Sequence, residues 1–243
     1  FRPLSLLHTD DGGLIPMKKI LMLTTGGTIA SLPSDEGLAP TGAGTILSHL
    51  GPAAANYDIT TKEILTLDST NIQPEEWKII AGAIYESVRD YDGIVVTHGT
   101  DTMAYTSSMM SFMLRNVPIP VVFTGSQVPI AQPLSDAPLN LSCAFAMAAS
   151  STPGVFVAFD RKIILGCRAV KVRTTAFAAF ESVNYDYAGH VNSSGLVLNY
   201  AAIPPQNRAC VLEDTVDSDV YLLKLTPGIN PKLVDLMIEA RCH

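Results

Sequence analysis

The chain has little cysteine: four residues in 243, at Cys143, Cys167, Cys210 and Cys242. No two form a Cys-x-x-Cys pair, and only Cys242 has a histidine beside it, His243. That spacing offers no zinc-ribbon site, and the count alone leaves disulfides open. The thiols read as free, small buried hydrophobes in a reducing compartment. Positive charge is also short, with Lys and Arg totalling 16 against 23 Asp and Glu, for a net charge of −7. This balance argues against nucleic acid or an anionic membrane as the main partner. No uncharged apolar run reaches transmembrane length. Internal repeats and low-complexity tracts are absent. The Gly-x-Gly-x-x-Gly of a dinucleotide fold does not follow the first apolar run, and no Gly-x-x-x-x-Gly-Lys-Ser/Thr phosphate loop occurs.

Hydrophobic residues are plentiful, at 47%. The length suits one large or two smaller domains. Short apolar runs at 18–25, 93–97, 120–124, 154–159 and 162–165 read as strands, and 57–66, which alternates imperfectly, as another. Residues 74–90 read as a helix, with Pro74 in its first turn, Glu75 and Glu76 at the positive end of its dipole, and Trp77, Ile80, Ile84 and Val88 on one face. Residues 101–115 form a second candidate, capped by Asp101. The alanine-rich stretch 136–150 is a third. Strands alternating with helices imply βαβ units and a parallel sheet covered on both faces.

The Asn, Ser, Gly and Pro content of 191–210, including Pro204-Pro205, suggests a connector. A further strand at 219–225 and a helix at 231–241 follow. The expected organisation is therefore an extension at 1–16, an α/β domain at 17–190, a linker at 191–210 and an incomplete second α/β domain at 211–243. Met17-Lys18-Lys19 reads as a start, and Cys242-His243 as a stop inside a helix. The expected fold class is α/β: a three-layer, doubly wound, mostly parallel sheet, followed by the start of a second, smaller α/β domain.

Four strand ends carry turn-forming polar residues: Thr25-Gly26-Gly27-Thr28, Asp68-Ser69-Thr70, Thr97-His98-Gly99-Thr100-Asp101 and Thr124-Gly125-Ser126-Gln127. Open parallel sheets bind ligands at the carboxyl ends of their strands, so these ends point to one small-molecule cleft. A threonine hydroxyl there becomes a nucleophile once a base takes its proton. His98 is one candidate base, although a His before Gly-Thr-Asp also reads as a hydrogen-bonded turn residue. Lys171, between Arg168 and Arg173, is another, provided that burial or nearby cations lower its pKa.

Thr25-Gly26-Gly27-Thr28-Ile29-Ala30 together with His98-Gly99-Thr100-Asp101-Thr102 resembles the paired signatures of bacterial L-asparaginases. Asp68-Ser69-Thr70 before Pro74-Glu75-Glu76-Trp77, Gly125-Ser126-Gln127, and the Lys171 segment up to Phe180-Glu181-Ser182 match in the same order. The similarity runs from Met17 to about Tyr187. Gly37-Leu38-Ala39-Pro40 is most similar to the cytoplasmic type I branch. The resemblance implies hydrolysis of L-asparagine to L-aspartate and ammonia, without cofactor or metal.

It also implies roles. Thr28 matches the nucleophile that forms an acyl-enzyme. Thr100, Lys171 and Asp101 match a trio that moves protons, and Asp101 also pairs with the substrate ammonium. Ser69, with Asp68, matches the holder of the α-carboxylate. Ser126 matches a position whose backbone carbonyl faces the leaving amide. Gly27 and Gly99 leave turn N–H groups available to an oxyanion.

Residues 31–45 are a lid candidate. Relatives carry a tyrosine there that contacts the nucleophile, whereas no tyrosine lies between Ser31 and Asn56 here. A homodimer or homotetramer is implied, with no nucleic acid and no membrane. Two rivals stand beside the hydrolase reading: an amidotransferase-type asparaginase-like subunit, and a non-catalytic amino-acid-binding module.

Overall fold

The computed structural model describes residues 6–8, 14–34, 37–40 and 43–240, with side chains described at 17–29, 46–49 and 54–240. The expectations placed on Cys242-His243, and most of those on 1–16, fall outside these residues. Two compact units divide the chain, Phe1–Glu213 and Asp214–His243.

The first unit is built on an eight-stranded sheet: β1 (Lys18–Gly26), β2 (Tyr57–Leu67), β3 (Gly93–Thr97), β4 (Pro120–Thr124), β5 (Gly154–Phe159), β6 (Lys162–Leu165), β7 (Gly189–Asn192) and β8 (Gly195–Leu198). Its spatial order is β8-β7-β6-β5-β4-β3-β1-β2. The run β2-β1-β3-β4-β5 is parallel throughout. Strands β6, β7 and β8 continue it antiparallel, so the sheet is mostly parallel with an antiparallel edge. Strand order reverses between β1 and β3, which is where an open α/β sheet makes its ligand crevice.

The central strands are apolar on both faces because helices cover both. Alternate residues Ile20, Met22, Val95, Val122, Phe156 and Ala158 form one core with Ile46 of α1 (Ala43–Leu50) and the buried side of α4 (Ala137–Ala148). The other face packs against α3 (Met103–Met113), which pairs with α2 (Pro74–Ser87). Helix α2 starts as its composition requires: Glu76 accepts the Gln73 N–H at 2.7 Å, closing a capping box. Trp77 Nε1 donates to Thr106 Oγ1 at 3.1 Å and joins the two helices.

Three expectations need correction. Asp101 does not cap α3; Thr102 precedes the helix, and the Asp101 carboxylate is held by Lys171 instead. Residues 191–198 are not linker: they belong to the β7–β8 hairpin, where Val191, Leu196 and Leu198 pack against the core. Polar turn residues masked that apolar alternation. No strand forms at 219–225: Tyr221, Leu222 and Leu225 are exposed, and the only regular element among the described residues of the second unit is α5 (Lys232–Glu239). A strand needs a neighbour for its backbone groups, and this short segment has none to pair with among the described residues. Cys143, Cys167 and Cys210 are free thiols, but only Cys143 is buried as expected; Cys167 is exposed and Cys210 half-buried.

Residues 31–45, the lid candidate, contain two short paired strands, Ser31–Ser34 and Gly37–Pro40. The side chains of that stretch lie outside the described residues.

Candidate active site

The four polar strand ends meet at the reversal point of the sheet. Strand β1 runs into Gly27, whose φ of +83° turns the chain, and Thr28 then opens the short helical turn Thr28–Ala30. A Cβ on Gly27 would stand 2.5 Å from the Gly99 nitrogen, so only glycine lets the first and third ends touch. Gly99 in turn lies under Ser69: a Cβ there would stand 2.5 Å from Ser69 Oγ. Hydrogen bonds complete the junction. Thr25 Oγ1 donates to the Thr97 carbonyl at 3.0 Å, Thr102 Oγ1 to the Ser69 carbonyl at 2.7 Å, and the His98 N–H to the Thr124 carbonyl at 2.9 Å.

Gly27→Ala is expected to be severely destabilising. Both the left-handed φ and the backbone overlap oppose a methyl group, together costing about 3 kcal/mol or more. A fall of many degrees in the thermal midpoint, against no fall for Gly82→Ala, checks this; Gly82 lies inside α2 with open space around it, where alanine favours the helix.

Lys171 arrives from a separate antiparallel ribbon, Ala169–Lys171 paired with Phe180–Ser182. The ribbon is anchored on both sides of its return strand. Phe180 is buried against Phe159, with ring centroids 4.9 Å apart. Glu181 accepts from Tyr187, Arg173 and Lys162, and these bonds hold its carboxyl down at about 2. So fixed, Lys171 Nζ donates to Thr100 Oγ1 at 2.8 Å and to Asp101 Oδ1 at 2.7 Å. The lysine side chain is only 13% exposed, whereas that of Asp101 is 58% exposed. Residues 70 and 71 positions apart in sequence thus make one contiguous polar trio.

Asp68 accepts the N–H and the hydroxyl of Thr70, each at 2.8 Å, and the bonds lower its pKa. Its carboxylate is therefore kept charged at the rim. Ser69 is buried and Ser126 is buried, the latter donating its hydroxyl to the Val128 carbonyl at 2.7 Å. The Gly27 N–H is already donated to the Leu67 carbonyl at 3.1 Å. It is committed to the fold, so the oxyanion role expected of it is not supported. Among the described residues no group of three or more His, Cys, Asp and Glu is placed to hold a metal ion.

His98 is not placed as a base. It is fully buried, and its Nδ1 lies 2.7 Å from the Gly99 carbonyl. A carbonyl only accepts, so Nδ1 carries the proton. Nε2 is buried without a partner. Burial lowers the pKa to about 4, despite the opposing carbonyl bond.

The pattern of these residues has relatives. The family described as "Asparaginase, N-terminal" matches residues 19–204. The chain belongs to the asparaginase family. It is 44% identical to the L-asparaginase of Thermococcus kodakarensis over 226 residues, 91% of this chain and 68% of that protein. The solved thermostable L-asparaginase from the same organism superposes with a TM-score of 0.85, over 92% of this chain and 68% of that one. The chain is 34% identical to L-asparaginase 1 of Escherichia coli K12 over 224 residues, 89% of this chain and 66% of the relative. A glutamyl-tRNA(Gln) amidotransferase component from Methanosphaera stadtmanae is 31% identical over 236 residues, covering 91% of this chain and 54% of the relative. The chain thus spans about two thirds of the length of the asparaginases it matches.

Within this asparaginase-family site, Gln127 is the residue that the sequence motifs include without assigning it a role. Its Oε1 accepts the Thr100 hydroxyl at 3.1 Å, while Nε2 donates to the carbonyls of Thr174 and Ala176 at 2.8 and 3.1 Å. The fourth strand end draws attention to Ser126 beside it. Nothing in the local pattern announces that Gln127 reaches the 174–176 loop.

His98 makes the family site acid-sensitive. The unfolded chain binds the histidine proton below about pH 6.5, and the folded chain only below about 4. Stability therefore rises with pH across that window and falls on acidification. Lowering the pH from 7 to 5 is expected to cost about 2 kcal/mol from this group. Urea titrations of wild type and His98→Gln at both pH values check it, the variant losing much less.

Proposed function

We propose that the chain carries the catalytic site of an L-asparagine amidohydrolase, which converts L-asparagine and water to L-aspartate and ammonia through a threonine acyl-enzyme. The observation that supports this most is the Lys171–Thr100–Asp101 contact, next to the turn that presents Thr28. Amide hydrolysis needs a nucleophile, a group that moves its proton, and a donor for the departing amine. In this reading the Thr28 hydroxyl attacks the side-chain amide carbon. Its proton passes toward the Thr100–Lys171 pair and is returned to the leaving nitrogen as ammonia departs. Water then attacks the ester, and Thr28 regains its proton as aspartate forms.

The substrate's own charges find partners of opposite kind. The exposed Asp101 carboxylate suits the α-ammonium. Ser69, with its hydroxyl over Gly99, suits the α-carboxylate, and Ser126 suits contact with the amide through its backbone. Asp68 orders the turn that carries Ser69 through its two bonds to Thr70.

The deciding experiment is ammonia release from asparagine by this chain. Binding without turnover would favour the amino-acid-binding module. Turnover coupled only to a partner protein would favour the amidotransferase-type reading, for which the similarity to the Methanosphaera stadtmanae protein is the specific support. Comparing asparagine with glutamine defines the substrate further, since one methylene in a pocket is worth about 1–3 kcal/mol.

We also place the chain in the cytoplasmic type I branch and as a homodimer or homotetramer. The E. coli relative named L-asparaginase 1 supports the branch. The exposed Leu222, Leu225, Leu236 and Ile238 of the second unit support association. A stable monomer in sedimentation would count against it.

A further inference from the structure

The turn 125–128 carries no element of regular structure, yet Gln127 must hold its amide in one orientation to meet Thr100. Two carbonyls set that orientation, and the backbone that carries the side chain is held by a buried carboxylate at the start of the next helix. Asp136, which precedes α4, is almost fully buried. Both of its oxygens accept the Gln127 backbone N–H at 3.0 Å, and Oδ1 also accepts the Val128 N–H at 3.1 Å. Oδ2 accepts Asn140 Nδ2 at 3.0 Å. That amide nitrogen donates as well to the Gly125 carbonyl at 3.0 Å, and Asn140 Oδ1 accepts the Asp160 N–H at 2.9 Å. Asp136 and Asn140, one helical turn apart, thereby grip the turn at Gly125, Gln127 and Val128.

We propose that Asp136, seconded by Asn140, is a positioning residue for the Thr100–Lys171 pair, acting through Gln127. With the backbone gripped, the direction of the hydrogen-bond chain is set by the 174–176 loop beside it. Two carbonyls, of Thr174 and Ala176, require the Gln127 nitrogen on their side. Oε1 therefore faces Thr100 and accepts its proton. The Thr100 oxygen is left to accept from Lys171. The buried carboxylate fixes the backbone of the residue whose amide sets which way the proton on Thr100 points. It does so without touching substrate, Thr28 or Lys171. Charge-assisted bonds to a buried carboxylate suit this task, because each is stronger than a neutral one and none competes with water.

The test combines structure and rate. Asp136→Asn keeps the size of the side chain but replaces one acceptor oxygen with an NH2 donor that faces other donors. The Gln127 side-chain amide protons are expected to exchange at least about tenfold faster in this variant by NMR. The kcat for ammonia release is expected to fall about 10–100-fold, with KM changed less than about threefold. In a Gln127→Ala background, Asp136→Asn is expected to cost almost nothing further. Unchanged exchange would overturn the proposal, and so would an undiminished kcat cost in the Gln127→Ala background. If Asp136→Asn does not fold, Asn140→Ala is read by the same exchange measurement, with the same two outcomes. The kinetic arm rests on the hydrolase reading above. A wild-type chain without ammonia release would defeat that reading, while the exchange arm would still decide the positioning.

Discussion

Thr28→Ala is expected to lower ammonia release from asparagine by about 10⁴-fold or more while leaving the fold intact. The size follows from what is removed. The hydroxyl is the atom that bonds to the substrate carbon, so its loss takes away the covalent route and not one contact among several. What survives is binding and electrostatic stabilisation, which on their own retain only a small part of an enzyme's rate. The fold should tolerate the change because Thr28 is only half-buried and the turn before it is set by Gly27. Steady-state ammonia release on wild type and variant, with thermal midpoints alongside, makes the measurement. Equal turnover by the two would remove Thr28 from the mechanism. A large drop in midpoint would mean that its hydroxyl serves the fold.

Lys171→Met should cost about 10²–10⁴ in kcat, with a smaller effect on KM. Methionine roughly retains the length of the side chain but removes both the 2.8 Å bond to Thr100 and the 2.7 Å ion pair with Asp101. Positioned proton transfer contributes about 10²–10⁴ in rate. The loss should appear mainly in kcat, because Lys171 meets Thr100 and Asp101 and has no direct partner on the substrate in the proposed pose. Its effect on stability should be modest: the pair is partly exposed at Asp101, and pairs of that kind contribute about 0–1 kcal/mol. A rise in KM with kcat preserved would instead make Lys171 a binding residue.

The two variants also separate roles that a single activity assay merges. If Lys171 acts through Thr100, the losses from Lys171→Met and Thr100→Val should not multiply, since the residues work as one unit. Thr28 belongs to a different step and should dominate either of them.

Much of the fold is legible along the chain. The strands at 93–97, 120–124, 154–159 and 162–165 coincide with β3 to β6, because fully buried strands are short uninterrupted apolar runs bounded by turn residues. Helix α2 is legible from Pro74, Glu76 and its apolar face. The run at 219–225 misleads because an apolar run does not reveal whether a neighbour exists to pair with it. Strands β7 and β8 mislead in the opposite sense: Asn192-Ser193-Ser194-Gly195 is a hairpin turn within the sheet, and its composition looks like a linker.

By itself the sequence determined the local pieces: a buried, mostly parallel sheet, glycine turns at strand ends, and the motifs that mark the family. Each is a matter of short-range sterics and hydrophobic periodicity, which neighbouring residues settle among themselves. The tertiary structure alone decided which pieces meet. Lys171 reaches Thr100 only because the Ala169–Lys171 ribbon is pinned through Phe180 and Glu181. His98 loses its candidacy as a base only because folding buries it and aims its proton at Gly99. Gln127 and Asp136 gain their place only because α4 starts beside the 125–128 turn. Such contacts join residues far apart in sequence. Their energies depend on burial and on hydrogen-bond geometry, which exist only once the chain is packed.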